Sequence, residues 1–400
     1  MATREEENKL MSFQAAPHTH KTDRAARYRQ ASKHSPLQST HVSALGPLGM
    51  GVSAILVSTV LVALSAQAAA AGDVKLRSTS NRPPRKVIVG TAMQAFWGEY
   101  PGLEKRLEQL GAIVDRMAEE SKKKYGRDLD LAILPETAVT GEATSPAAET
   151  ALPFEGRVKE AFARKAREHH CYIVVPMYLL ETQGRKICSN VGILVDRQGE
   201  VLGTYRKLHL AVPAGSDSME GGSTPGKKVP VFDCDFGKLG IQICFDIEYD
   251  YGWEQLARKG AELVAWPTQS PQTAQPAFRA MRHRYYVVSS TWRNNAAIFE
   301  PTGRITAQIK PPEQVLVKEI DLSYALLPWS RELRNGEALQ EKYGDKVGFR
   351  YYEDEDRGIF WSNDPSLTIG QMLRSIGVTE EEEEFRRIEK LYEKAGVPGS

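Results

Sequence analysis

Apolar residues alternate over Lys86–Ala95 (KVIVGTAMQA), which predicts a strand. Between Pro101 and Tyr125 the period lengthens. Leu103, Leu107, Leu110, Val114 and Met117 recur at spacings of three and four, as on one helix face. Leu129–Leu134 is a continuous apolar run stopped by Pro135, a buried strand. A helix over Glu155–His169 and a strand over Tyr172–Tyr178 follow. Val191–Asp196 and Val201–Tyr205 flank Arg197-Gln198-Gly199-Glu200 and predict a hairpin. Ala211–Lys228 is a loop rich in Gly, Ser and Pro, and short strands Val229–Phe232 and Leu239–Cys244 come after it.

The alternation of elements then repeats. Trp253–Gly260 and Pro276–Arg284 read as helices. Leu263–Trp266, Tyr285–Trp292, Ala296–Phe299, Arg304–Ile309 and Val315–Ile320 read as strands. Helices interleave with strands, but hairpins occur too, so the pattern predicts a mixed sheet in a layered α/β domain over residues 86–322.

Both flanks differ from this domain. Residues 1–43 are polar, with seven Lys/Arg against four Asp/Glu, and are expected to form a disordered leader. Residues 44–71 carry no charge; Val52–Leu64 is almost wholly apolar, and Ala-rich small residues close it. That layout predicts a signal peptide or a single membrane anchor. The expected location is therefore exported, periplasmic or extracellular, or membrane-anchored, with membrane contact through residues 44–71. A charged, Ser-rich linker spans residues 72–85. Residues 323–400 form a C-terminal extension, expected to pack on the domain or across a dimer. It holds an aromatic and charged segment (FRYYEDEDRGIFW) followed by short helices. Thr379 with Glu382 reads as a capping box ahead of Phe385, Ile388 and Leu391.

Composition narrows the classes. With 52 Lys+Arg against 51 Asp+Glu, the chain has no electrostatic footprint for nucleic acid. Four cysteines in 400 residues exclude a disulfide-built scaffold; Cys171, Cys188 and Cys234 allow at most one bridge among themselves.

Three reactive side-chain types then fall at three strand ends, where α/β proteins place their sites. They are Glu136 in Leu134-Pro135-Glu136, Lys207 in Tyr205-Arg206-Lys207-Leu208-His209, and Cys244 in Ile241-Gln242-Ile243-Cys244-Phe245-Asp246. A thiol is mostly protonated at neutral pH and needs a base before it can attack a carbonyl or nitrile carbon. Glu136 can take that proton and return it to a leaving nitrogen. Lys207 can donate to the developing oxyanion.

LPE at 134–136, YRKLHL at 205–210 and GIQICFD at 240–246 resemble the three motifs of the nitrilase superfamily of carbon–nitrogen hydrolases. The resemblance covers about residues 86–320. It implies a four-layer α-β-β-α sandwich, homodimers or larger assemblies, and a Glu-Lys-Cys triad with neither cofactor nor metal. It further implies an auxiliary glutamate in the loop before the cysteine, here Glu220 in the MEG stretch. Phe245, Trp266 and Thr268 are candidate substrate-binding residues on the same basis, and Arg293-Asn294-Asn295 is a structural counterpart. The implied activity is hydrolysis of an amide or N-carbamoyl bond through a thioester. A true nitrilase, acting on a nitrile, and a non-catalytic tethered binding protein are the alternatives.

Other features read as scaffold. His169-His170-Cys171 lacks a second ligand cluster for a metal, and His209 is expected to be local structure. Gly221–Lys228 (GGSTPGKK) misses the final Ser/Thr of a phosphate loop. Asp246, Glu248 and Asp250 either bind substrate or cap the following helix. Loops 138–153, 211–228 and 268–276, with the aromatic tail Phe349–Trp361, are candidates to shape the pocket.

Overall fold

The computed structural model describes residues 79–142, 146–182 and 186–398. The leader 1–43, the apolar segment 44–71 and the linker up to residue 78 lie outside the described residues. The expected exported or membrane-anchored location is corrected, while the signal-peptide and membrane-contact readings fall on residues 44–71, outside the described ones. Among the described residues no helix is long and apolar enough to cross a membrane. The final stretch of the linker is fixed to the domain. Thr79 exchanges two 3.0 Å hydrogen bonds with the Tyr324 backbone, and Arg85 pairs with Glu262 at 2.7 Å.

The alternation at the start of the domain builds β1 (Lys86–Ala92). Val87 and Val89 point to one side and Ile88 to the other, and both sides are covered. In chain order there follow β2 (Leu131–Ile133), β3 (Tyr172–Thr182), β4 (Lys186–Val195) and β5 (Val201–Arg206). Next come β6 (Val231–Cys234), β7 (Gly237–Ile241) and β8 (Leu263–Pro267). Then come β9 (Tyr286–Ser290), β10 (Ala296–Phe299), β11 (Ile305–Ile309) and β12 (Val315–Asp321). They form two six-stranded sheets, ordered β12-β1-β2-β3-β4-β5 and β11-β10-β9-β8-β7-β6. β1, β2 and β3 run parallel in the first, as do β7, β8 and β9 in the second.

Four layers result. Val87, Leu131, Ile133 and Val174 meet Leu239, Ile241, Ala265 and Val288 between the sheets. Helices α1 (Leu103–Tyr125) and α2 (Arg157–His169) cover the outer face of the first sheet with Leu110, Val114, Met117 and Phe162. Helices α3 (Asp250–Arg258) and α4 (Ala274–His283) cover the second with Trp253, Leu256 and Ala280. Each fully buried Leu, Val or Met contributes about 1.5–3 kcal/mol, more than intrinsic helix propensity supplies per residue. The α1 layer presses so close that a Cβ on Gly90 would stand 2.9 Å from the Met117 sulfur.

Two hydroxyls stitch the sheets together at the carboxyl ends of their strands. Thr91 Oγ1 donates to the Ser289 carbonyl at 2.6 Å, and Ser290 Oγ reaches the Ile133 carbonyl at 2.9 Å. The loops leaving β2 and β7 therefore emerge side by side.

The C-terminal extension is more regular than its sequence suggests. The FRYYEDEDRGIFW stretch is a hairpin of β14 (Val347–Tyr352) and β15 (Arg357–Ser362), joined by β13 (Tyr324–Pro328) in the order β13-β15-β14. Tyr324 packs edge-on against Tyr286, at the start of β9, and Arg350 pairs with the fully buried Glu300. This sheet thus sits at the amino ends of β8 and β9, opposite the strand ends that carry the reactive residues. The aromatic tail plugs this end of the sandwich. Short helices α5 (Glu337–Tyr343) and α6 (Ile369–Arg374) and the final α7 (Glu381–Ala395) complete it. The Thr379 capping box does not form: Glu380 holds the N-cap position and makes no side-chain cap. Glu381 is buried and paired with Arg284 and Arg357, so the helix start is tied to the domain.

Candidate functional site

Glu136 follows β2 and Pro135, where the chain turns sharply; Thr137 beside it has φ 51°. Lys207 follows β5 two residues after Tyr205, hence on the same inward face. Its backbone N–H donates to the Asn190 carbonyl of β4 at 2.9 Å, which continues the ladder. Cys244 is not the end of a strand, as the sequence suggests. β7 stops at Ile241, and Cys244 opens a 3-10 turn, Cys244–Glu248, with φ 41°. Glu220 lies in the loop after Lys207 with φ 39°. Positive φ in a non-glycine residue is uncommon and costs energy. Here it falls on the nucleophile candidate, on the auxiliary acid and beside the base candidate.

The four side chains converge. Lys207 is 1% exposed and donates from Nζ to Glu136 Oε1 at 3.0 Å. It also donates to Glu220 Oε1, which accepts the Ala211 backbone N–H at 3.1 Å as well. An ammonium carries three hydrogens, so these two acceptors leave one to offer. Burial works against the lysine's charge. The nearby Glu136, Cys244 and Glu220 outweigh it and hold the ammonium well above its ordinary pKa. Glu136 is itself buried, at 2% exposure. Burial raises its pKa, Lys207 opposes the shift, and the like charge of Glu220 adds to it; the net direction is up. Cys244 neighbours both charges. Burial and the Glu136 carboxylate push its thiol up to about 12, against Lys207 and hydrogen bonds from Thr268 and Gln269. The resting sulfur is a thiol beside a carboxylate of raised basicity.

Two further side chains organise this cluster, and sequence reading missed both. Asn190, fully buried on β4, donates from Nδ2 to Glu136 Oε1 at 3.0 Å and to Glu220 Oε2 at 3.2 Å. A lone asparagine in the KICSNVGILV strand carries no motif signal. Only the hairpin register, which sets Val191 opposite Arg206, shows that it stands beside Lys207. Trp292 donates from Nε1 to the Glu136 carbonyl at 2.8 Å and stands edge-on to Phe96.

The acids after the nucleophile separate. Asp246 is fully buried and takes the scaffold role. It accepts from Tyr205 Oη at 2.7 Å, from the Ile243 N–H at 3.0 Å and from the His209 N–H at 2.9 Å. His209 Nδ1 is 3.0 Å from the same carboxylate and its ring stacks on Tyr249, so it is held away from a Cys–His pairing. Asp250 pairs with Arg279, and Glu248 accepts from Gln275 at 2.8 Å. Of the three pocket candidates, Trp266 is fully buried and donates from Nε1 to the Cys244 carbonyl at 3.1 Å. Thr268 is buried beside the sulfur. Phe245 is half-buried and edge-on to Tyr249. Asn295, read as structural, accepts from Gln308 at 2.6 Å and donates to the Pro271 carbonyl at 3.2 Å.

The remaining clusters stand elsewhere. Asp115, Glu168 and His169 come within metal-binding distance of one another, but Lys165 lies 2.7 Å from Asp115 and 3.0 Å from Glu168 and already supplies the cation. All four cysteines are free thiols. The GGSTPGKK loop leads into β6 and not into a helix.

Comparison with known proteins fits this arrangement. The family described as "Carbon-nitrogen hydrolase" matches residues 97–326. Omega-amidase NIT2 of Danio rerio is 25% identical over 244 residues, covering 54% of this chain and 86% of the relative. Human deaminated glutathione amidase is 27% identical over 224 residues, covering 48% and 67%. Among solved structures, Saccharomyces cerevisiae Nit3, a member of branch 10 of the nitrilase superfamily, superimposes with a TM-score of 0.51 at 18% identity. That match covers 65% of this chain and 95% of the yeast protein.

Proposed function

The chain belongs to the carbon–nitrogen hydrolase family, a hydrolase of carbon–nitrogen bonds other than peptide bonds, and from that premise we propose that Cys244, Glu136 and Lys207 carry the reaction on a small primary amide or N-carbamoyl compound. One observation supports the assignment above the others: a buried lysine held between two carboxylates, with the Cys244 thiol beside it.

Cys244 Sγ attacks the carbonyl carbon as its proton passes to Glu136. The negative oxygen of the tetrahedral adduct takes the remaining Lys207 hydrogen and a backbone N–H at the start of the Cys244–Glu248 turn. The C–N bond then breaks, and Glu136 returns its proton to the leaving nitrogen. Water attacks the thioester with Glu136 again as base, the C–S bond breaks, and the acid product leaves with the thiol restored. Glu220 keeps the ammonium in place and balances its charge.

Purified residues 74–400 test the substrate class by ammonia release from primary amides, N-carbamoyl amino acids and nitriles. Release from the first two is expected. Release from nitriles alone would replace the amide reading by the nitrilase one, and release from none would overturn both. The acid limb of kcat/KM follows from Glu136. Its protonated form cannot accept the thiol proton, so activity is lost as pH falls through its pKa. Since that pKa is raised, the limb should lie above the ordinary glutamate value of about 4.3. A profile between pH 4 and 9 checks this; a limb at or below 4.3 contradicts it.

A further inference from the structure

Asn190 bonds both carboxylates that share Lys207. The amide orientation is forced. Turned over, Oδ1 would face two carboxylate oxygens with no hydrogen to give. In the orientation observed, Oδ1 is buried without a partner. A buried, unsatisfied carbonyl costs free energy and asks for a compensating role of the same side chain. That role is the donation from Nδ2.

The consequence falls on Glu136. Its Oε1 receives two donors, Lys207 Nζ and Asn190 Nδ2, both at 3.0 Å. Its Oε2 is buried and takes neither of these two donors, and the Cys244 thiol hydrogen-bonds this same carboxylate. A carboxylate held by two donors on one oxygen cannot rotate without breaking both, and its other oxygen keeps its lone pairs. Resting on the proposed Glu-Lys-Cys chemistry, we propose that Asn190 is a positioning residue: it pins Glu136 Oε1, leaves Oε2 as the oxygen that exchanges the Cys244 proton, and ties Glu136 and Glu220 together around one lysine. Asn190 would then set the pH at which the base becomes active, not the affinity for substrate.

The test compares Asn190→Ala and the nearly isosteric Asn190→Asp with wild type in the full chain. Ala removes the donor. Asp replaces it by a third acidic group facing the other two. Loss of a charge-assisted hydrogen bond to Glu136 disfavours the carboxylate, so the acid limb of kcat/KM should move up by roughly one pH unit in the Ala variant and further in Asp. At the pH optimum kcat should fall about 10- to 100-fold with KM within about threefold. The rate of Cys244 alkylation by iodoacetamide, followed against pH by mass spectrometry, reads the same limb without any substrate. If the Ala variant does not fold, Asp supplies both profiles. Unmoved limbs in a folded variant overturn the proposal, even where kcat drops, since a packing role lowers activity without shifting a titration. Failure of the underlying reading has a different signature: ammonia release that survives Cys244→Ala. Cys244-dependent release with an unmoved Asn190 limb rejects the positioning role alone.

Discussion

Replacing Cys244 by alanine is expected to cut ammonia release by at least about 10⁴-fold, because removal of a covalent nucleophile leaves only binding and oxyanion stabilisation. The fold should survive. Cys244 is half-buried at the start of a 3-10 turn, and its backbone partner, the Trp266 indole, bonds the main-chain carbonyl and not the sulfur. Alanine meets the same positive φ as cysteine, so no new backbone strain enters. Removing the thiol beside Glu136 also removes a group whose ionisation that carboxylate opposes. The melting temperature should therefore stay within a few degrees of wild type while turnover disappears. Activity retained by the alanine variant would sink the cysteine mechanism. Turnover lost together with the cooperative melt would mean that Cys244 is needed for packing, and the kinetic comparison would then carry no weight.

The parts of this site that sequence reveals are those whose chemistry is rare in their setting. A glutamate behind a strand-ending proline, a lysine at the end of a hairpin strand and a cysteine followed by an acid each read as structural when taken alone, and carry meaning only together. Their order along the chain resembles one family. Strand and helix positions in the sandwich follow from period two and period three-to-four, because both sheets are buried on both faces and each helix buries one. The misses have physical causes too. Asn190 is polar, alone and mid-strand, and its meaning depends on a cross-strand neighbour that no local pattern specifies. The third sheet is hidden because its strands mix aromatic and charged residues: Arg350 reaches inward to Glu300, and Phe349 stacks on Phe360 at 5.5 Å. An inward-pointing arginine with a buried partner reads in sequence as a solvated position. Helix α7 misleads for the same reason, since Glu381 is buried against two arginines from other elements.

Replacing Lys207 by methionine tests the electrostatic half of the site and should damage stability as well as rate. Methionine keeps the stem and most of the volume, so the change is chiefly one of charge. It leaves Glu136 and Glu220, 3% and 9% exposed at their side chains, sharing Asn190 as a donor with no cation between them. Breaking a buried ion pair by removing one partner costs about 3–5 kcal/mol, which in a domain of this size lowers the melting temperature by on the order of 10 °C. The pH dependence has a definite sign. Without the ammonium that opposes the shift, the folded-state pKa of Glu136 lies further above the unfolded value, so its stability contribution is present below the unfolded value and lost as pH rises through the folded one. The deficit of Lys207→Met relative to wild type should therefore be largest near pH 8 and shrink toward pH 5. A second substitution separates the two roles of the lysine. Adding Glu220→Gln removes one of the stranded charges and should restore part of the lost stability, a coupling that the double-mutant cycle measures. It cannot restore turnover, because the donor to the oxyanion is still missing. A single variant that melts like wild type across this range would mean that the two carboxylates do not depend on Lys207 for their charge. Recovery of turnover in the double variant would remove Lys207 from the reaction and leave it a purely structural cation.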